Sequence, residues 1–271
     1  MSKITPQGHI LGWRRDSLDY RDHLFLAPQT VVAKLPPMVD LRPHMPPVYD
    51  QGDLGSCTSN AIGGIIQFIR MKTGEQPAFE PSRLFIYYNE RSIEHSIAAD
   101  AGAEIRDGMK SVNQQGVCSE TQWPYIATPA DPITGLFPVG SAPVTRPPAA
   151  AYTSALRYRA INYARVQQTL SQLKGCLAAG YPYVFGFSVF DNIYDVNGNP
   201  VVNLPMPNSD SQLLGGHAVA AVGYSDATAR FTIRNSWGPR VQDHGYFYMP
   251  YQFMTDYQLV GDTWVIRQES A

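Results

Sequence analysis

Residues 51–74 read QGDLGSCTSNAIGGIIQFIRMKTG. After Cys57, Ala61, Ile65, Phe68 and Ile69 recur at i, i+4, i+7 and i+8. That spacing predicts one apolar face of a buried helix, closed at Gly74. A cysteine at the start of such a helix feels the positive end of its dipole, which favours thiolate over thiol. Gly52 and Gly55 allow a tight turn and close approach of a ligand. Gln51, six residues upstream, is placed to share an oxyanion with the Cys57 backbone N–H. Taken alone, Cys57 reads equally well as an inert buried thiol.

Working outward, residues 81–94 and 103–115 also read as helices, so the first half of the chain is mostly helical. Residues 128–150 contain six prolines and read as a surface loop or linker. Beyond it, LRYRAINYARV alternates and TLSQLKGCLAAG reads as a helix. YVFGFSV, HAVAAVGY, RFTIRN, GYFYM and TWVIRQ then read as short strands bounded by turn residues. A helical half beside an antiparallel β half is an α+β arrangement with a cleft between its layers.

Six histidines are available as a proton partner. His217 stands at a Gly215-Gly216 break that opens the strand AVAAVGY. Asn235 closes the strand FTIR ahead of Ser236-Trp237-Gly238, where its amide is placed to orient an imidazole that Trp237 shields from water. His244, in the polar turn QDHGYF, reads as a surface residue. Cys118 and Cys176 read as structural thiols, Asp53 as solvated, and no Cys/His set has zinc spacing.

The blocks QGxLGSC, GGHAVAAVGY and IRNSWG, in that order, resemble the three active-site blocks of papain-like cysteine peptidases. LPPMVDLRPHMPPVYDQG resembles the start of the mature domain, and SETQWPY and GYFYM resemble later elements. The similarity spans roughly residues 35–271 and is greatest to bacterial members with a short N-terminal extension. It implies a two-lobed fold, a helical lobe (roughly 50–127) against an antiparallel β-barrel-like lobe (roughly 150–271), together forming a peptidase domain over 36–271. It also implies that Cys57 is the nucleophile, His217 its imidazolium partner, Asn235 the group orienting His217, and Gln51 part of the oxyanion hole. Gly186, Ala218, Trp237 and Gly102 are implied to line the substrate site, with small Gly186 and Ala218 leaving a roomy pocket for a large apolar side chain. Two positions depart from the family: Leu54 replaces a disulfide cysteine, and Thr58 replaces an aromatic residue after the nucleophile.

The expected activity is endopeptidase hydrolysis of protein or peptide substrates, with no metal or organic cofactor. A transglutaminase or deamidase using the same groups, and a non-catalytic binding module on the fold, are the alternatives. Residues 1–35 read as an extension: either a strap packing Trp13, Leu18, Tyr20 and Phe25 on the surface, or a pro-segment-like element contacting the cleft. Charged residues make up 16% and the net charge is −2, which argues against a nucleic-acid partner or a polybasic membrane anchor. Three cysteines are too few for a disulfide framework. With neither a signal-peptide-like run nor an apolar stretch of membrane-spanning length, the expected location is cytoplasmic, with leaderless secretion as the other route.

Overall fold

A computed structural model describes residues 3–5, 7–74, 79–160 and 162–267. Ile161 of the alternating run and Gln268 of the last expected strand lie outside them, as do Met1, Ser2 and Pro6 of the extension. The chain begins with four two-residue strands, β1 (Lys3–Ile4), β2 (Ile10–Leu11), β3 (Trp13–Arg14) and β4 (Leu24–Phe25), then a short helix α1 (Gln29–Val32) and β5 (Met38–Asp40). The helical lobe contributes α2 (Cys57–Lys72), α3 (Arg83–Ile93), β6 (Ala103–Glu104) and α4 (Ile105–Gln114). Next come α5 (Ala149–Ala155), β7 (Asn162–Val166), α6 (Leu170–Ala178) and β8 (Tyr183–Phe190). The chain then forms β9 (Leu213–Ser225), β10 (Arg230–Arg234), β11 (Tyr246–Pro250), α7 (Tyr251–Thr255) and β12 (Val260–Arg267).

The main sheet runs β11-β10-β9-β8-β12-β7-β4, with β5 added onto β9. It is an open path with β11 and β4 at its ends, so the barrel-like closure expected for the β lobe does not occur. The β4–β7 pairing at one end is parallel. The sheet is buried on both faces, which is why AVAAV in β9 is continuously apolar rather than alternating. On one face Ala218, Ala220 and Val222 join Ala61, Ile65 and Phe68 of α2 in a single core. On the other, Val219 and Ala221 join Phe185, Phe187, Phe231 and Leu173 and Leu177 of α6.

Three sequence expectations are corrected. Gly215 and Gly216 lie inside β9, opposite Val189 and Ser188 of β8, and do not break the strand. Ala149 and Ala150, the last residues of the loop expected over 128–150, open α5 behind Pro147-Pro148. The proline-rich stretch is only partly surface: Phe137 is buried with Leu54, Leu84 and Tyr87 in a small apolar core.

Candidate active site

Cys57 is the first residue of α2, behind Ser56 at the N-cap. The preceding loop is pinned from the helical lobe, because the Gly55 N–H donates to Asp100 Oδ2 at 2.9 Å and the Tyr87 hydroxyl donates to the same carboxylate. From the β lobe, the Ala218 N–H donates to Cys57 Sγ at 3.4 Å, placing the sulfur beside the residue that follows His217. His217 Nε2 and Asn235 Oδ1 are 2.9 Å apart. His217 Nδ1 is buried with no hydrogen-bond partner. The two ring nitrogens are thus unequal: Nε2 is held by the amide and Nδ1 is left for another group.

Gln51 is held just as firmly. Its Oε1 accepts from the Ser236 hydroxyl at 2.7 Å, which fixes the amide so that Nε2 donates to the carbonyls of Leu54, at 2.9 Å, and Ile10, at 3.0 Å. Asn235 Oδ1 also accepts the Ser236 N–H, and its Nδ2 donates to Gln242 Oε1 at 2.9 Å. Trp237 stacks on His217 with ring centroids 4.8 Å apart. Cys57, His217, Asn235, Gln51 and Trp237 therefore converge although they are distant in sequence. Ser236 lay within the quoted block but carried no signal of its role, and Gln242 had none. His244 and Asp53 are exposed, while Cys118 and Cys176 are buried and unbridged.

The N-terminal extension is threaded through this cleft. Trp13 and Arg14 pair in parallel with Ala103 and Glu104, and the Ala103 N–H donates to the Gly12 carbonyl at 2.8 Å. Two glycines make that approach possible. A Cβ on Gly102, whose φ is +65°, would lie 1.9 Å from the Gly12 oxygen, and one on Gly12 would lie 1.8 Å from the Gly55 oxygen. His9 also stacks on Trp237, with centroids 4.0 Å apart. Trp13 is buried against Gly186 and Gly216, in the apolar cluster that contains Ala218. All four residues expected to line the substrate site thus border the space that residues 9–13 fill. Of the strap reading, Trp13 and Phe25 are buried, whereas Leu18 and Tyr20 face solvent at 92% and 100% exposure.

Covering the cleft reverses the electrostatics expected from the helix dipole. Burial pushes the Cys57 thiol up to about 12, against the N–H groups of Ala218, Gly12 and Thr58, which favour the thiolate. Burial also pulls His217 down to about 4, although the hydrogen bond to Asn235 Oδ1 opposes that shift. The covered pair is a neutral thiol and a neutral imidazole. Thr58 donates from its hydroxyl to Glu90 Oε2 at 2.8 Å, and burial raises the Glu90 carboxyl well above its ordinary range.

Among the described residues no cluster of His, Cys, Asp or Glu could hold a metal ion, and no helix is long and apolar enough to cross a membrane. A buried thiol at a helix start and an imidazole held by an amide thus meet in a cleft between two lobes. Residues 35–259 match the family model described as Papain family cysteine protease, and the chain belongs to that family as a cysteine peptidase. It is similar to xylellain, a cysteine protease from Xylella fastidiosa, at 47% identity and a TM-score of 0.92 over 96% of each chain. It is 42% identical to an uncharacterised peptidase C1-like protein of Acanthamoeba polyphaga mimivirus, over 81% of this chain and 69% of that one. A cysteine protease of Carica candamarcensis shares the fold at 19% identity and a TM-score of 0.60, over 86% of this chain and all of that one.

Proposed function

We propose that the chain is an endopeptidase in which Cys57 attacks a peptide carbonyl and forms an acyl-enzyme. His217 takes the thiol proton, then delivers it to the leaving amine, so the first half-reaction releases the amine product. Water, deprotonated by His217, then attacks the thioester and frees the carboxyl product and the thiol. Asn235 keeps Nε2 of the ring engaged so that Nδ1 carries the mobile proton, and Trp237 keeps water from that bond. Gln51 Nε2 and the Cys57 N–H stabilise the oxyanion.

The observation that carries this reading is the Ile10 carbonyl on Gln51 Nε2, 3.0 Å away. A peptide carbonyl already occupies the donor assigned to the oxyanion. The same observation supports a second assignment, that residues 9–16 hold the enzyme latent. With that segment seated, the thiol is dry and neutral; once it leaves, water returns and the thiolate–imidazolium pair forms.

The test is digestion of a denatured protein substrate by the full chain and by Cys57→Ala and His217→Ala, with mass analysis of the products. Each substitution is expected to lower kcat/KM by at least about a thousandfold. New peptide termini support hydrolysis. Loss of ammonia from glutamine, or amine incorporation without backbone cleavage, would favour a deamidase or transglutaminase. Mapping an epoxysuccinyl peptide inhibitor to Cys118 or Cys176 rather than Cys57 would refute the assignment.

A further inference from the structure

The loop after Trp237, residues 238–245, holds a glutamine in an unfavourable backbone. Gln242 has a left-handed φ of +58°, a region that glycine, asparagine, aspartate and histidine enter far more readily than glutamine does. The end of the side chain shows what this conformation achieves. Gln242 Oε1 accepts from Asn235 Nδ2 at 2.9 Å, and Gln242 Nε2 donates to the Val201 carbonyl at 3.1 Å. That carbonyl sits on anchored chain. The Val201 N–H donates to the Ile193 carbonyl at 2.8 Å, and the Tyr248 N–H of β11 donates to the Val202 carbonyl at 2.8 Å. Ile193 is itself buried in the core of the β lobe.

A primary amide has one accepting end and one donating end of nearly the same shape, so packing alone does not choose between them. For Asn235 the choice decides the chemistry, because the end that faces His217 fixes which ring nitrogen carries the proton. The contacts leave no freedom. A backbone carbonyl only accepts, so Gln242 must turn its NH2 to Val201 and its Oε1 to Asn235. Asn235 must then turn its NH2 to Gln242 and its Oδ1 to His217 Nε2, 2.9 Å away. The Ser236 N–H donates to the same Oδ1 at 2.8 Å and agrees with that polarity. An accepting oxygen puts the ring proton on Nε2 and leaves the lone pair on Nδ1, the nitrogen without a hydrogen-bond partner. Reversing the Asn235 amide would set two N–H donors together at Ser236 and two oxygens together at Gln242.

We propose that Gln242 is a positioning residue for catalysis: it transmits the fixed polarity of the Val201 carbonyl through Asn235 to His217, and so selects the ring tautomer able to take the Cys57 proton. This rests on the peptidase reading and extends it, since Gln242 acts through Asn235 rather than on the reacting atoms. The strained backbone fits the role, because strain of this kind persists where the surroundings over-determine a conformation. Glycine or asparagine would suit the loop better. Only a side chain of glutamine length joins both partners. Without it, Asn235 Nδ2 loses its acceptor and the amide is held at one end alone.

The test variant is Gln242→Asn, which keeps the amide and suits the left-handed backbone but is one methylene too short to span Asn235 and Val201. The direct readout is the tautomer of His217, taken from the ring-nitrogen NMR shifts and couplings of the full chain at neutral pH, where the covered imidazole is uncharged. The native chain is expected to hold the Nε2–H form alone, and Gln242→Asn to show the Nδ1–H form beside it. Gln242→Glu, which still accepts from Asn235 Nδ2, is expected to restore the single form. Kinetics are read for the same changes in full-length Gly12→Val, whose Cβ overlaps the Gly55 oxygen and displaces the segment. There Gln242→Asn should lower kcat at least about tenfold and move KM by less than about twofold. Gln242→Glu should recover most of that loss. One tautomer and one kcat across all three proteins overturns the proposal, as does a lowered kcat with the tautomer unmoved. A tautomer change in chains that cleave no peptide bond would refute the peptidase reading while keeping the Gln242 relay. Cleavage with an unmoved tautomer refutes the relay alone.

Discussion

Two adjacent stretches of the N-terminal segment have similar compositions and opposite fates. Residues 9–16 are drawn into the cleft, where Ile10, Leu11 and Trp13 are buried. Residues 17–26 cross the surface with Leu18, Tyr20, Leu24 and Leu26 exposed and only Phe25 buried, in the core of the β lobe. The difference lies in the receiving surface rather than in the segment. Opposite the first stretch stand Gly102, Gly186 and Gly216, where a Cβ would collide with Gly12 or Trp13, and Gly215, where one would press on Leu11. The second stretch meets no such surface, and its Asp19 and Arg21 pair with each other. The lesson is that an aromatic residue anchors only where a complementary vacancy exists.

The sharpest way to break the contrast is Gly12→Val. Its side chain would overlap the Gly55 carbonyl, which is backbone and cannot yield, so the segment should be expelled. Labelling of Cys57 by iodoacetamide is expected to rise by at least about a hundredfold, since closure of the buried site is worth several kcal/mol of side-chain burial. Unchanged labelling would show that the segment does not guard the thiol. The pH profile of the same reaction sharpens the point. With Cys57 pushed up to about 12, labelling of the native chain should climb about tenfold per pH unit above neutrality, because only the thiolate reacts. In Gly12→Val the rehydrated pair should hold its thiolate at neutral pH and give a flat profile there. The sign of the linkage follows: a thiol raised by closure stabilises the closed form below the open-state thiol range, and that contribution is lost as pH rises from there to about 12.

Trp13→Ala comes next. Removing a buried tryptophan costs about 3–5 kcal/mol, taken from segment docking, and should appear as rapid proteolytic nicking of residues 3–16. Nicking as slow as in the native chain would mean that the strand pairing alone holds the segment. The smallest effect is expected for Tyr20→Ala: a fully exposed side chain should shift unfolding by no more than about 0.5 kcal/mol and leave Cys57 labelling unchanged. A measurable rise in labelling would tie the surface stretch to closure.

Much of the site was legible in the sequence because its parts are local. The Cys57 block, the strand with His217 and the Asn235-Ser236-Trp237 turn each carry their own residues and flanking glycines. What escaped has no local signature. Asp262 reaches the cleft through a bulge between paired strands, Gln242 supports Asn235 from a separate loop, and Gly215-Gly216 looked like punctuation because glycine at a turn and glycine under a tryptophan are the same letter. Asp16 illustrates the point for charge. Burial and the nearby Asp262 push its carboxyl up to about 7, although Arg165 lies 2.8 Å away. Arg165 is shared with Asp22 and Asp262 as well, a convergence no spacing rule predicts.

By itself the sequence determined the family and the two lobes and pointed to the groups proposed to react, because helix periodicity, strand runs and motif blocks are written in neighbouring residues. Only the tertiary structure decided that the sheet stays open, that residues 9–13 fill the cleft, and that a residue poised to be a thiolate is held as a neutral thiol. Those outcomes depend on which surfaces meet and on what water is excluded when they do. Desolvation is a property of the assembled site, and here it outweighs the helix dipole and the backbone N–H groups that favour charge on the sulfur.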